Sequence, residues 1–173
     1  MLFSGLIYAQ NAPPASPKPH YCNETYGFCV DYPASWKLLG EVYEGHGAAI
    51  APVQKGNEAR WDSVTVAAVE IPAQEGKDPA TVEDLVTSLI GKMAAQTPNM
   101  QTVRRSEETL AHHPAQLVQV RYDENNERWG ETIVAMDGGN DIFYTVVFKC
   151  RVLDEAKYQA AVEGLLKSFR LTQ

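Results

Sequence analysis

The run Ile142-Phe143-Tyr144-Thr145-Val146-Val147-Phe148 puts Ile142, Tyr144, Val146 and Phe148 on one alternating set and Phe143, Thr145 and Val147 on the other. Successive side chains of a strand point to opposite faces, so a strand apolar on both sets must be covered on both sides. This segment therefore belongs at the centre of a sheet. The polar Asp137-Gly138-Gly139-Asn140 stretch ahead of it reads as a hairpin turn, with the glycines permitting the bend.

The neighbouring segments supply the partners. Val118, Val120 and Tyr122 share one face while Gln119, Arg121 and Asp123 share the other. Asp123-Glu124-Asn125-Asn126 then forms a polar turn into a further strand over 129–136, and strands joined by tight turns run antiparallel. Strands are also expected around 28–32, 37–43, 48–53, 63–71 and 102–109. Two helices interrupt this pattern. Thr81 with Asp84 has the form of a capping box, and Val82, Leu85, Val86, Leu89, Ile90 and Met93 follow at helical spacing, ending near Gln96 before Pro98. In the second helix Asp154 is placed to cap, and Tyr158, Ala161, Val162, Leu165, Leu166 and Phe169 form one apolar face. The class is α+β: a mainly antiparallel sheet packed with two principal helices.

A chain of 173 residues can bury a substantial core without metals or many disulfides. No repeat divides it, so residues 20–173 read as a single domain. Residues 1–19 read as a signal-peptide remnant and a Pro-rich tether. The apolar Leu2-Phe3-Ser4-Gly5-Leu6-Ile7-Tyr8-Ala9 is too short to cross a bilayer, and Ile7 and Ala9 sit where a signal peptidase accepts modest or small side chains. Pro13, Pro14, Pro17 and Pro19 then prevent a helix or a central strand. The expectation is export to a periplasmic or secreted location without membrane insertion. Lys and Arg total 15 against 22 Asp and Glu, a formal charge of -7, which repels a phosphate backbone and argues against nucleic acid as a partner.

Cys22 and Cys29 flank Asn23-Glu24-Thr25-Tyr26-Gly27-Phe28, a segment suited to a turn between two short strands. A hairpin brings the two cysteines close, and a disulfide across it contributes about 2.5 kcal/mol in the chain-entropy picture if the register lets the Cβ atoms approach. Spacing alone leaves the connectivity open. Cys150 is then left over as a buried structural thiol. Asn23-Glu24-Thr25 also matches the short N-glycosylation pattern.

Catalytic signatures are missing: the chain has no Gly-x-Ser-x-Gly, His-Glu-x-x-His, phosphate-binding glycine loop or Cys-x-x-Cys. His112 and His113 point to opposite faces if they lie in a strand, so chelation of one ion needs a twisted turn and a third ligand, with His20 or His46 the other histidines to draw on. A calcium loop starting at Asp123 fails at Arg128 and Val134, where glycine and glutamate are required. Burial of Cys150 suppresses the thiolate that a nucleophile needs. No catalytic, cofactor or metal residue is therefore assigned. Among the aromatics, Trp61 and Trp129 have polar or small neighbours in Arg60, Asp62, Arg128 and Gly130, and so read as surface anchors for a partner.

Three motifs in order carry a resemblance. Tyr26-Gly27-Phe28 precedes Asp31-Tyr32-Pro33-Ala34-Ser35-Trp36; Pro114-Ala115 leads into the strand that ends at Tyr122; Lys167-Ser168-Phe169 closes the chain. Over most of residues 26–171 this resembles the PsbP-like fold family, which includes a photosystem II extrinsic subunit, a Ran-binding import factor and exported bacterial proteins. His112-His113 departs from the pattern, standing where the family often has glycine. The resemblance implies structural roles: Pro33 breaking the opening strand, Trp36 packing on the sheet, Phe169 anchoring the last helix. It also implies protein binding as the common thread. The expected function is thus an exported, non-catalytic accessory protein holding a protein partner in the cell envelope. The alternative is a small-molecule or metal-binding protein, or an enzyme, with a pocket between sheet and helix near His112, His113 or the tryptophans.

Overall fold

The computed structural model describes residues 18–53, 62–73, 75–97 and 99–172. The strand expected at the centre is β9 (Ile142–Arg151), fourth of seven in the order β3-β4-β5-β9-β8-β7-β6. Its neighbours are β5 (Ser63–Glu70) and β8 (Glu127–Gly139); beyond them lie β4 (Gly47–Pro52) and β3 (Trp36–Val42) on one side, and β7 (His113–Glu124) and β6 (Gln101–Leu110) on the other. Every pairing is antiparallel. A second sheet joins β1 (His20–Asn23), β2 (Phe28–Asp31) and β10 (Arg170–Leu171), with β2 in the middle.

The two faces of the large sheet carry separate cores. On one, Tyr144, Val146, Phe148 and Cys150 of β9 pack beneath α2 (Glu155–Ser168) and the small sheet, through Tyr158, Val162, Leu165 and Phe169. On the other, Phe143 of β9 joins Val118, Val120 and Ala135 beneath Leu85 and Val86 of α1 (Val82–Gln96). The double apolar alternation of β9 thus corresponds to one helix on each side.

Helix α1 begins as its sequence dictates. The Thr81 hydroxyl accepts the Asp84 N–H at 3.2 Å, and the Asp84 carboxylate accepts the Thr81 N–H at 2.9 Å, satisfying two of the orphan donors of a helix N-terminus. Helix α2 differs from expectation. The Asp154 carboxylate makes no cap; it accepts from Arg151 at 2.8 and 3.0 Å, the charged donor outcompeting the backbone. The other end of α2 is fixed by Ser168, whose hydroxyl accepts the Asp31 N–H at 2.8 Å and donates to the Leu165 carbonyl at 2.7 Å. Trp36 is buried with its ring edge-on to Tyr158, and Phe169 stacks on Phe28, as the motif order implies.

Three hairpins of the large sheet turn through two residues with positive φ: Ala111-His112, Asn125-Asn126 and Asn140-Asp141. This is the turn whose twist matches that of the strands. The turn before β9 is therefore at Asn140-Asp141, and Gly138-Gly139 belongs to β8, where the register shifts. Gly138 is small for another reason: a Cβ there would lie 2.2 Å from the Tyr144 ring. At Ala111 (φ 49°) and His112 (φ 68°) ordinary side chains occupy the conformation that asparagine and glycine prefer. Replacing them together, Ala111→Asn with His112→Gly, should raise stability by about 1 kcal/mol. A thermal melt should move up by roughly 2–4 °C; an unchanged or lower midpoint would contradict the strained turn.

The sheet ends on β3 and β6. Edge strand β6 is largely exposed and charged, through Arg104, Arg105, Glu107 and Glu108. Edge strand β3 carries a register shift between Leu38 and Gly40. Charge and irregularity both discourage pairing with another chain.

Candidate functional site

The cysteines meet as the hairpin allows. Cys22 and Cys29 stand opposite one another in the β1–β2 register and form a disulfide, with their Cα atoms 4.1 Å apart. Cys150 is buried against α2, and burial, then the nearby Asp62 carboxylate, pushes its thiol up to about 12. At neutral pH it is a packing group, not a nucleophile. Asn23 is buried too. Its amide donates to the Gly45 carbonyl at 2.7 Å and to the Tyr21 hydroxyl at 3.3 Å, while its oxygen accepts the Tyr26 N–H at 3.1 Å. Its side chain is committed to the fold, which removes it as a glycan acceptor.

The tryptophans divide differently. Trp61 lies outside the described residues. Trp129 is only 5% exposed, a correction to its expected surface position. It shares a face with Tyr122, and the Lys149 ammonium lies 5.1 Å from the Trp129 ring centre and 5.4 Å from that of Tyr122. The same ammonium is 3.4 Å from Glu124 and 3.9 Å from Glu131. The Tyr122 hydroxyl donates to Glu131 at 2.5 Å, and burial together with that carboxylate pushes the phenol well above its ordinary range. The assembly is an aromatic and acidic box filled by the protein's own lysine.

The histidines do not converge. His112 borders a hollow of about 380 Å³ between the start of α1 and the β6–β7 hairpin, shared with Val82, Glu107, Thr109 and Gln116, whereas His113 does not line it. No three His, Cys, Asp or Glu side chains gather as a metal site among the described residues.

A second hollow, of about 420 Å³, has no precursor in the sequence reading. It lies between the disulfide-closed β1–β2 hairpin and the turn Tyr43–Gly45 that joins β3 to β4, lined chiefly by Tyr21, Asn23, Tyr26, Glu41, Glu44 and His46. Its two walls are tied to one another. The Asn23–Gly45 bond crosses it, and the Tyr26 hydroxyl is 2.9 Å from His46 Nε2 with the rings 4.7 Å apart. Tyr144 of the central strand donates to the Tyr26 carbonyl at 2.6 Å and so fixes the hairpin to the main sheet. The turn is unusual: Tyr43 (φ 52°) and Glu44 (φ 56°) both occupy the left-handed region, and Tyr43 is 68% exposed. Two non-glycine residues held there cost free energy that the Asn23–Gly45 tie helps to offset. The groove is a preformed surface feature built from segments about twenty residues apart.

No protein-family model matches the chain, and no curated protein matches its sequence. Solved structures do match its shape. The cyanobacterial PsbP (CyanoP) of Synechocystis sp. PCC 6803 superposes with a TM-score of 0.61 at 12% identity, covering 94% of this chain and 98% of that one. The fold is PsbP-like. The Ran-binding protein Mog1p of Saccharomyces cerevisiae shares this PsbP-like fold at a TM-score of 0.61 and 8% identity, covering 91% of this chain and 96% of that one. LpqN of Mycobacterium tuberculosis, involved in cell envelope biogenesis, matches at 0.59 and 15% identity, over 92% of this chain and 88% of its own. Identities this low establish the PsbP-like architecture, and chemistry must come from the site. No described helix is long and apolar enough to cross a membrane.

Proposed function

We propose that this chain is an exported, non-catalytic accessory protein that holds a protein partner in the cell envelope, using the groove beside the β1–β2 hairpin. The observation that carries this reading is the groove itself: a preformed, polar hollow whose walls are locked by a disulfide and by the Asn23–Gly45 bond, with an exposed aromatic, Tyr43, in the turn that supplies one wall. Preorganised walls reduce the ordering cost of association, and an exposed aromatic supplies contact area at little entropic cost. The disulfide supports an oxidising compartment. That LpqN is described as an envelope biogenesis protein and Mog1p as Ran-binding agrees with a binding role. Trp61, and Trp129 through the Lys149 that covers it, are proposed as further partner contacts.

Site-specific photo-crosslinking tests this in the full chain expressed in its own cells. A photoreactive residue at Tyr43 should give an adduct with one protein, whereas the same residue at Lys92, exposed on α1 across the large sheet, should not. Identical adducts at both positions, or none at Tyr43, would sink the reading. The hollow beside His112 supports the second reading, a small-molecule site between sheet and helix. A ligand retained by the purified protein and lost on Gln116→Ala would favour it.

A further inference from the structure

We infer that the hollow between the start of α1 and the β6–β7 hairpin takes a small primary amine, its ammonium between Glu107 and Gln116 and its apolar body against Val82 and Pro114. This rests on the second reading above, a small-molecule site between sheet and helix, and adds the chemistry of the ligand. Glu107 and Gln116 stand opposite one another in the β6–β7 register, so their side chains share a face, and both line the hollow. Side chains directly opposite have their Cβ atoms roughly 5 Å apart.

Each of the two lacks a donor. Gln116 Oε1 is buried and accepts no hydrogen bond among the described residues. The other end of the amide sets its orientation, with Nε2 donating to Glu83 at 2.9 Å. That bond, with Thr87 and Arg105 beside it, holds the Glu83 carboxyl below its usual range, so at neutral pH the carboxylate is ionised and can only accept. Turning the amide over would set oxygen against oxygen. A buried acceptor without a donor is unfavourable, and a ligand that supplies one removes that cost. Glu107 is also free. The arginines beside it in sequence are engaged, Arg104 by Glu108 at 3.1 Å and Arg105 by Glu83 at 3.0 Å, and Glu107 pairs with no lysine or arginine among the described residues.

Two acceptors, one carrying a full negative charge, thus neighbour each other without a shared donor. An anion is repelled by Glu107, and a single hydroxyl cannot donate to both. A metal ion finds no set of three ligating side chains among the described residues. A primary ammonium supplies three N–H donors and the opposite charge. Val82, the first residue of α1, and Pro114 offer apolar surface, and about 380 Å³ leaves room for a ring or a short alkyl chain.

The test titrates the full, isotopically labelled chain with benzylamine and with two analogues of the same body: benzyl alcohol, which lacks the charge, and benzyltrimethylammonium, which keeps the charge and lacks N–H donors. Benzylamine should bind with a dissociation constant on the order of 1 mM. It should shift the amides of Val82, Glu107 and Thr109 and the side-chain amide of Gln116, and weaken as salt rises. Both analogues should bind about tenfold more weakly. Glu107→Gln should weaken benzylamine about tenfold and Gln116→Met roughly fivefold. Glu163→Gln, which removes the same charge on α2, should leave it unchanged. Melting curves of all variants separate loss of the site from loss of the fold. Equal binding by Glu107→Gln, equal binding of either analogue, or shifts confined to other surfaces would overturn the inference. If the purified protein retains a ligand that Gln116→Ala releases while benzylamine fails, the second reading stands and the amine is wrong; if no ligand is retained and none of the three compounds shifts the hollow, both are wrong.

Discussion

Phe28→Ala should cost the protein about 3–5 kcal/mol of stability, the range for truncating a fully buried aromatic. Phe28 has no exposed surface and lies where three parts of the molecule meet. Its ring stacks on Phe169 at 5.7 Å, meets Tyr144 of the central strand edge-on at 5.6 Å, and contacts Tyr21 at 6.0 Å. The cavity left by truncation opens between the small sheet, the exit of α2 and β9, and none of these can close it without moving the others. For a chain of this size the melting temperature should fall by roughly 10 °C. Urea unfolding followed by circular dichroism checks it, and a loss below about 1 kcal/mol would show that the site collapses freely.

Removing the disulfide should have the next largest effect. Cys22→Ala with Cys29→Ala releases a short closed loop in the unfolded chain, worth about 2.5 kcal/mol. The consequence extends to the groove. Tyr21 and Asn23 flank Cys22 and form one wall, so freeing β1 lets that wall move relative to Gly45 and His46. The midpoint of urea unfolding should drop in the double variant, and in the wild type under reducing conditions, by the same amount. A wild type indifferent to reductant, with the variant equally stable, would mean that strand pairing alone holds the hairpin.

The core architecture was readable because it depends on local periodicity. The double alternation at 142–148 placed β9 between two helices, and Thr81 with Asp84 located the start of α1. The cysteine pair was readable as far as its spacing allowed, and the register Cys22↔Cys29 completed it. Trp129 was misread for a physical reason. Its sequence neighbours Arg128 and Gly130 point to the opposite face of the strand, so their polarity says nothing about the side on which Trp129 lies. What covers Trp129 is Lys149, two strands' worth of sequence away and opposite Glu131. The glycines at 138 and 139 misled in a similar way: a Cβ at Gly138 would strike the Tyr144 ring, and Gly139 takes a positive φ at the register shift, so both serve β8 rather than the two-residue turn. The groove left no trace in the sequence because Asn23, Glu41 and His46 come together only once the small sheet docks on the large one.

The small sheet also determines how the molecule bears a mechanical load. β1 and β10 flank β2, so the first and last described strands lie on either side of the same support. Tension applied to the chain ahead of His20 can open only the His20 and Tyr21 pairs before it meets the Cys22–Cys29 bond. Force then passes covalently into β2, which is held by β10 on its free edge and by Phe28 in the core. A protein suspended from its N-terminal side can thus be pulled without unzipping the hairpin beyond Tyr21.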